Sequence, residues 1–322
     1  MRPTRQSRRT PPLAGLDGRW DKNDTKDSAN VADRVAQGKC QYYDLPDQRL
    51  RELRSLLLFR KRLKKQLHSS RVRIRNNLVA QYFPEFDRFW KKAASENLAI
   101  VGGFLDPGSI RQLSCEQFKA KLSTPRGGLR QQRRLQQIWE AAGNSIGCRP
   151  APGMQLEAAL IVETLNSLQV QLTRVERAIH QLAKAFEDYR YLKSIPGFGP
   201  YVCAVNLAAI GNPDRFENRA QVLRLGGFDL SANRSGQRSK TAVPVISKKG
   251  KADLRYALYQ AALVASSSTS HFRDYFSRLL DGRQREKGIR TKMRVKVAAK
   301  MLVIAWTLMK RKEFFNPAYI QA

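Results

Sequence analysis

The chain has 322 residues, 59 of them Lys or Arg against 27 Asp or Glu, for a formal net charge of +32 at pH 7 and a hydrophobic content of 42%. That hydrophobic content suffices for real cores, and the length suggests two or three folded units. The charge argues against a free soluble enzyme of small molecules, because self-repulsion opposes compaction. A polyanion that absorbs it is the simplest partner, with nucleic acid first and an anionic membrane surface second.

Residues 1–20, "MRPTRQSRRTPPLAGLDGRW", are basic and rich in Pro and Gly without an apolar period, and read as a disordered arm. A short helix follows in "DKNDTKDSANVADRVAQGK", with Asp24 and Asp27 in its first turn and Gly38 as its stop. From about Pro46 to Ala80 the pattern is one long helix. Between positions 51 and 75 it holds ten Lys or Arg and one acidic residue, Glu52. Leu53, Leu56, Leu57, Leu63 and Leu67 recur at helical spacing, so one stripe is core. The remaining face is either a solvated charged surface or a phosphate-facing one. Like charges repel along a solvated helix, so we read it as phosphate-facing, with Arg60, Lys61 and Lys64 on it.

Residues 96–153 carry loop signals ("GGFLDPGS", "STPRGG") between short helical patterns, one of them the basic "LRQQRRLQQIWEAAG". Beyond them, Ile161, Leu165, Leu168, Leu172, Val175, Ile179, Leu182 and Phe186 are spaced alternately by four and three. This is a heptad seam held for more than three repeats. It serves either a coiled coil between copies of the chain or a long helix packed on its own domain.

"LKSIPGFGPYVCAVNLAAIG", residues 192–211, sets two glycines between helical runs. A dinucleotide fingerprint needs a third glycine where Val202 stands and a strand where "KAFEDYRYLKS" stands, so that reading fails. What remains is helix, tight turn and helix. Gly197 and Gly199 are free to take positive φ and to let a backbone approach, Pro200 suits a first helical turn, and Gly211 is the stop. Free N–H groups at such a helix start favour an anion. The element reads as a helix-hairpin-helix-like phosphate clamp, with a purely structural turn as the alternative.

A helix at 217–225 leads into a polar loop in which Ser235 precedes Gly236, with Arg234, Arg238 and Lys240 close by. "TAVPVIS" (241–247) is the best short strand, and "SKKGK" adds Lys248 and Lys249. A loop serine is usually a turn residue. Ringed by arginines it has a second use, attack on phosphorus with the cations stabilising the added charge. The apolar run at 297–309 contains Lys300, is too short to span a bilayer, and reads as a buried helix. With no visible secretory signal and four scattered cysteines, the expected setting is a reducing cytoplasm, away from membranes, and Cys203 is expected in the core.

"IPGFGPYVCAVNLAAIGNPDRFENRAQVLRLGGFDLSANRSGQ", "ISKKGKADLRYALYQAA" and "FRDYFSRLLDGRQREKGIRTKMRVKVAAKMLVIAWTL" together resemble the C-terminal domain of IS110-family transposases, over about residues 190–315. "NDTKDSANVADRVAQGK" and the helix after it resemble the end of that family's RuvC-like, RNase H-fold nuclease domain. The visible pattern is overwhelmingly helical, so the chain is expected to be mainly α, and with the resemblance it divides into a basic arm at 1–20, a RuvC-like remnant at 21–95, a helical insertion at 96–153, a coiled-coil helix at 154–190 and a C-terminal transposase domain at 191–322. The resemblance implies a serine nucleophile, carried onto Ser235 with Ser231 as fallback. It implies a divalent metal such as Mg²⁺ held by acidic residues, carried onto Asp24 and Asp27. DNA, a structured bridge RNA as guide, and further copies of the chain are the implied partners. The family has two more acidic ligands upstream; here only 23 residues precede Asp24, none of them Glu. The chain is therefore expected to be a truncated form with half its acidic site, either a recombinase with an incomplete centre or a binding remnant that does not cut.

Overall fold

The computed structural model describes residues 24–37, 45–90, 96–125, 127–231 and 245–321. The chain divides into two units, residues 1–48 and 49–322. Of the first, helix α1 (Asp24–Ala36) is the main described part, with Asp24 and Asp27 in its first turn and the Ser28 hydroxyl donating to the Asp24 carbonyl at 2.7 Å. The basic arm expected at 1–20 lies outside the described residues.

The second unit is almost wholly helical. α2 (Gln48–Arg73) runs into a π-helical turn, Ile74–Val79, and a last short piece, α3 (Ala80–Tyr82). The single helix expected to Ala80 is thus continuous but widens in its last turns. A 3₁₀ turn at Pro84–Phe89 precedes α4 (Glu96–Gly103), α5 (Pro107–Arg111), α6 (Cys115–Leu122) and α7 (Leu129–Gly143). Local chemistry starts these helices. The Asp106 carboxylate accepts from the Gly108 N–H at 2.9 Å ahead of α5, and Ser114 and Gln117 form a reciprocal capping box on α6.

α8 (Pro152–Lys184) is the longest helix, and α9 (Asp188–Lys193), α10 (Pro200–Ile210) and α11 (Arg219–Gly226) follow. Asn218 caps α11 by accepting from the N–H groups of Ala220 and Gln221, and Gly227 ends it in the left-handed region at φ +67°. Asn218, as the cap, starts the helix two positions later than the 217 expected from the sequence, and Gly227 ends it one position later than the 225. After a two-residue antiparallel ladder, β1 (Leu230–Ser231) with β2 (Val245–Ile246), come α12 (Ala252–Ser268), α13 (Ser270–Leu280), α14 (Ile289–Arg311) and α15 (Ala318–Gln321). Of the strand expected at 241–247, Val245 and Ile246 form β2, Ser247 follows it, and residues 241–244 lie outside the described residues.

Two hydrophobic cores result. One surrounds α10, whose residues Val202 to Ile210 are all buried, as an all-round apolar helix demands; α9 and α11 to α15 pack around it. The other joins the π turn, α4, α5, α6 and α7 through Phe83, Phe86, Ile100, Phe118 and Ile138. Inside the second core a charged group is buried: Arg134 of α7 pairs with Glu96 and Asn97 of α4 and donates to the Phe89 carbonyl at 2.6 Å.

α2 and α8 pass through both cores in opposite directions. Leu53 of α2 lies in the first core and Leu63 and Leu67 in the second, while Leu165, Leu168 and Leu172 of α8 lie in the second and Ile179 and Ala183 in the first. Ion pairs tie them, Arg60 to Glu176 at 2.7 Å and Arg73 to Glu157 at 2.8 Å. The heptad seam is therefore spent within the chain. Every one of its eight residues, Ile161 to Phe186, packs on one core or the other, so this face serves the chain's own domain, the second of the two uses the spacing allows. A regular four-three spacing records only that one face is apolar, whichever partner covers it.

α14 carries the apolar run at 297–309 into the first core, and among the described residues no helix is long and apolar enough to cross a membrane. Cys203 is fully buried, and that burial pushes its thiol up to about 12. A thiolate-directed alkylating reagent should label the exposed Cys148 and leave Cys203 untouched until the chain unfolds. Equal labelling of both in the native protein, read by peptide mass, would overturn this placement.

Candidate nucleic-acid interface

The polar loop of the C-terminal region is held by a stem built from backbone. Leu230 pairs with Ile246 and Ser231 with Val245. Below that ladder, the Ser247 N–H donates to the Asp229 carbonyl at 2.7 Å, Lys248 to Gly227 at 3.1 Å and Lys251 to Leu225 at 2.7 Å. The Ser247 hydroxyl donates to the Asp229 carboxylate at 2.6 Å, and an Arg255 guanidinium nitrogen donates to the Gly226 carbonyl at 2.7 Å.

Two glycines let these strands cross. A Cβ on Gly250 would lie 2.3 Å from the Gly227 nitrogen and 2.4 Å from the Leu225 oxygen. Gly227 is closed from the other side, since its Cβ would meet the Gly250 nitrogen at 2.7 Å, and its φ is positive. Only hydrogen fits at either position. Lys248 adopts φ +55° at the same crossing, a left-handed conformation rare for a side-chain-bearing residue. Lys248 and Lys249 are both exposed here, at the foot of the stem. Ser235, Arg234, Arg238 and Lys240 fall between the two strands in sequence and lie outside the described residues; Ser231 is placed by its backbone alone, at the last rung of the ladder.

The glycine hairpin joins α9 to α10. Gly197 has φ +88°, as a turn of this kind requires, and its Cβ would lie 2.7 Å from the Ala261 carbonyl of α12. The backbone that comes close to Gly197 is thus this chain's own. Gly199 has φ −82° with nothing near its Cβ position, so it serves as a plain helix cap. The Lys193 ammonium donates to the Phe198 carbonyl at 3.1 Å across the turn.

α2 brings its cations alongside. The Arg60 guanidinium lies 3.9 Å from the centroid of the Tyr201 ring, at the start of α10, and its charge is met by Glu176. Arg60 is largely covered, so it acts here as a packed cation between α2, α8 and α10. Lys61 pairs with Asp253 of α12 at 2.9 Å with both side chains exposed, while Lys64 is exposed one turn further along. The structure therefore gathers Arg60 and Lys61 at the hairpin and assigns the outward-facing charge to Lys61 and Lys64.

Asp24 and Asp27 share the first turn of α1 and are both exposed. A divalent ion of the Mg²⁺ type needs a near-complete oxygen shell. Among the described residues no group of three or more His, Cys, Asp or Glu side chains comes together, and Asp24 and Asp27 stand as an exposed pair.

Comparison with known proteins gives the setting of these elements. The chain is 22% identical over 301 residues to the "Insertion element IS110 uncharacterized 43.6 kDa protein" of Streptomyces coelicolor, covering 92% of this chain and 72% of that protein. It is also 22% identical over 306 residues to the "Insertion element IS116 uncharacterized 44.8 kDa protein" of Streptomyces clavuligerus, covering 92% of this chain and 73% of its relative. Residues 189–277, which run from α9 through the hairpin and the stem into α13, match the Transposase IS116/IS110/IS902 family. Through that span the chain is similar to the IS116/IS110/IS902 transposase family, and over nearly its whole length to the two insertion-element proteins.

Proposed function

We propose that the chain binds DNA and exchanges its strands through a serine ester, with Ser235 as the nucleophile. The observation that carries this reading is the stem: a backbone-locked foot, inside the matched span, between whose two strands the sequence runs through Arg234, Ser235, Arg238 and Lys240. A foot that admits only glycine at two crossing points is rigid, and a rigid mounting is what supports a nucleophile. In the step itself the Ser235 Oγ–P bond forms and a bridging P–O bond of the DNA breaks. The serine proton leaves to solvent or a base, and the departing sugar oxygen takes one up. The arginines beside the serine offset the charge that builds on the phosphorane oxygens.

The large positive charge, the exposed Lys61, Lys64, Lys248 and Lys249 and the hairpin at α10 form the binding surface for DNA and for a structured guide RNA. Asp24 and Asp27 are the residues that would contribute to a divalent metal site, and no part of the step above is routed through one. A second reading is a protein that binds nucleic acid through the same basic surface without cutting, which the net charge of +32 supports equally.

One experiment separates the two. Incubated with element-end DNA and Mg²⁺ and denatured, the wild-type chain should carry DNA covalently, and Ser235→Ala should lose that adduct while retaining DNA affinity within about twofold. An adduct that survives Ser235→Ala moves the nucleophile to Ser231. No adduct from the wild type, with binding intact, establishes the non-cutting reading.

A further inference from the structure

α14 carries cations where its own electrostatics disfavour them. Its first turn holds Arg290 and Lys292 with no acidic residue and no side-chain cap, so the charge opposes the helix dipole. Lys292, Lys296 and Lys300 then recur every fourth residue along one side of the helix. Like charges at that spacing repel along a solvated helix. Arg219, the first residue of α11, brings a further positive charge to bear on Lys300.

Among the described residues none of these four side chains forms an ion pair. Glu286 feels the charge of Lys292, but both its oxygens are bonded to Arg283 at 2.8 Å. Lys292, Lys296 and Arg219 are exposed and Lys300 is half-buried. Burial, and then the Arg219 guanidinium, hold the Lys300 ammonium below the ordinary lysine value.

A partner of this face is held by charge alone. The apolar side of α14, from Ile289 to Met309, is spent in the first core, so the helix has no apolar face left to lay into a membrane surface. What faces outward is a row of ammonium groups about 6 Å apart along the axis, with a guanidinium at its end. Such a row matches the repeated phosphates of a nucleic-acid backbone, whatever its base sequence.

We propose that Lys292, Lys296 and Lys300 of α14, with Arg219 of α11, form a further track for the phosphate backbone of bound DNA, beyond the lysines of α2 and the stem. This rests on the DNA-binding reading above. α11 starts at Arg219 and is closed by Gly227, which lies in the crossing at the foot of the stem. The track is thus mounted on the same short helix as the stem.

The test compares two double variants of the full chain that lose the same two charges. One is Lys292→Gln with Lys296→Gln, both exposed on the track; the other is Lys119→Gln with Lys121→Gln, on α6 of the second core. Affinity for a DNA duplex is measured against salt concentration. The track variant should lower the slope of log affinity against log salt by about two, one for each phosphate contact removed, and the α6 variant should leave it unchanged. Because the track variant relieves repulsion within α14, its urea midpoint should not fall, so weaker binding is not weaker folding. An unchanged slope in the track variant overturns the track and leaves DNA binding standing. An equal fall in both variants does the same, since it reports net charge alone. A wild-type chain that binds no duplex, or only vesicles of anionic lipid, overturns both readings.

Discussion

Gly250→Ala should destabilise the chain by about 3 kcal/mol and remove the serine-dependent DNA adduct from whatever fraction still folds. The added methyl would sit within 2.5 Å of three backbone atoms, the Gly227 nitrogen and the Leu225 and Arg224 oxygens. Backbone cannot rotate aside as a side chain does, so the strands must part. Parting them breaks the bond from the Lys251 N–H to Leu225, the contact that joins the foot of the loop to the end of α11. Gly199→Ala is the matched control. It has open space at its Cβ position and φ −82°, so its cost should stay within about 0.5 kcal/mol. Urea midpoints for the two variants, followed by the adduct assay, decide the matter. A Gly250→Ala chain as stable and as active as Gly199→Ala would mean that the crossing is not the lock described.

Arg134→Met should cost about 3–5 kcal/mol, because it leaves the Glu96 carboxylate buried without its counter-ion. Both side chains are less than a tenth exposed. Gln131 still reaches Glu96 at 3.2 Å, but an amide does not balance a charge. Changing both partners, Glu96→Gln with Arg134→Met, removes the stranded charge, so the double variant should be more stable than Arg134→Met alone. That ordering is the diagnostic result, and equal midpoints for single and double variants would show the pair to be solvated. Hydrogen exchange adds a location: amides of α4 and α7 should open first, ahead of those in α10 and α14.

Some of this architecture is legible in the residues. Gly197 announces a positive φ, the run around Lys300 announces a buried helix, and the apolar stripe of α2 names its core face; each is a local property. The spacing from Ile161 to Phe186 is legible as an apolar face but silent on what covers it, since a partner helix and the chain's own cores ask the same of the sequence. Arg60 reads as one more cation in a basic run, and only the fold sets it over Tyr201 and against Glu176. Gly250 looks like an ordinary turn glycine within "SKKGK" until Gly227 is brought against it. Arg54, Arg215 and Lys251 belong to three segments with no common period, and that they donate to the neighbouring Ala208 and Ala209 carbonyls of α10 follows from tertiary packing alone.

The passage of α2 through both cores makes it a measuring rod. Its 26 residues, at 1.5 Å each, span about 39 Å, and the step from Leu53 in the first core to Leu67 in the second takes up about 21 Å of that. One continuous helix therefore sets the distance between the two cores, and adding or removing a turn within it would shift one core bodily along the other.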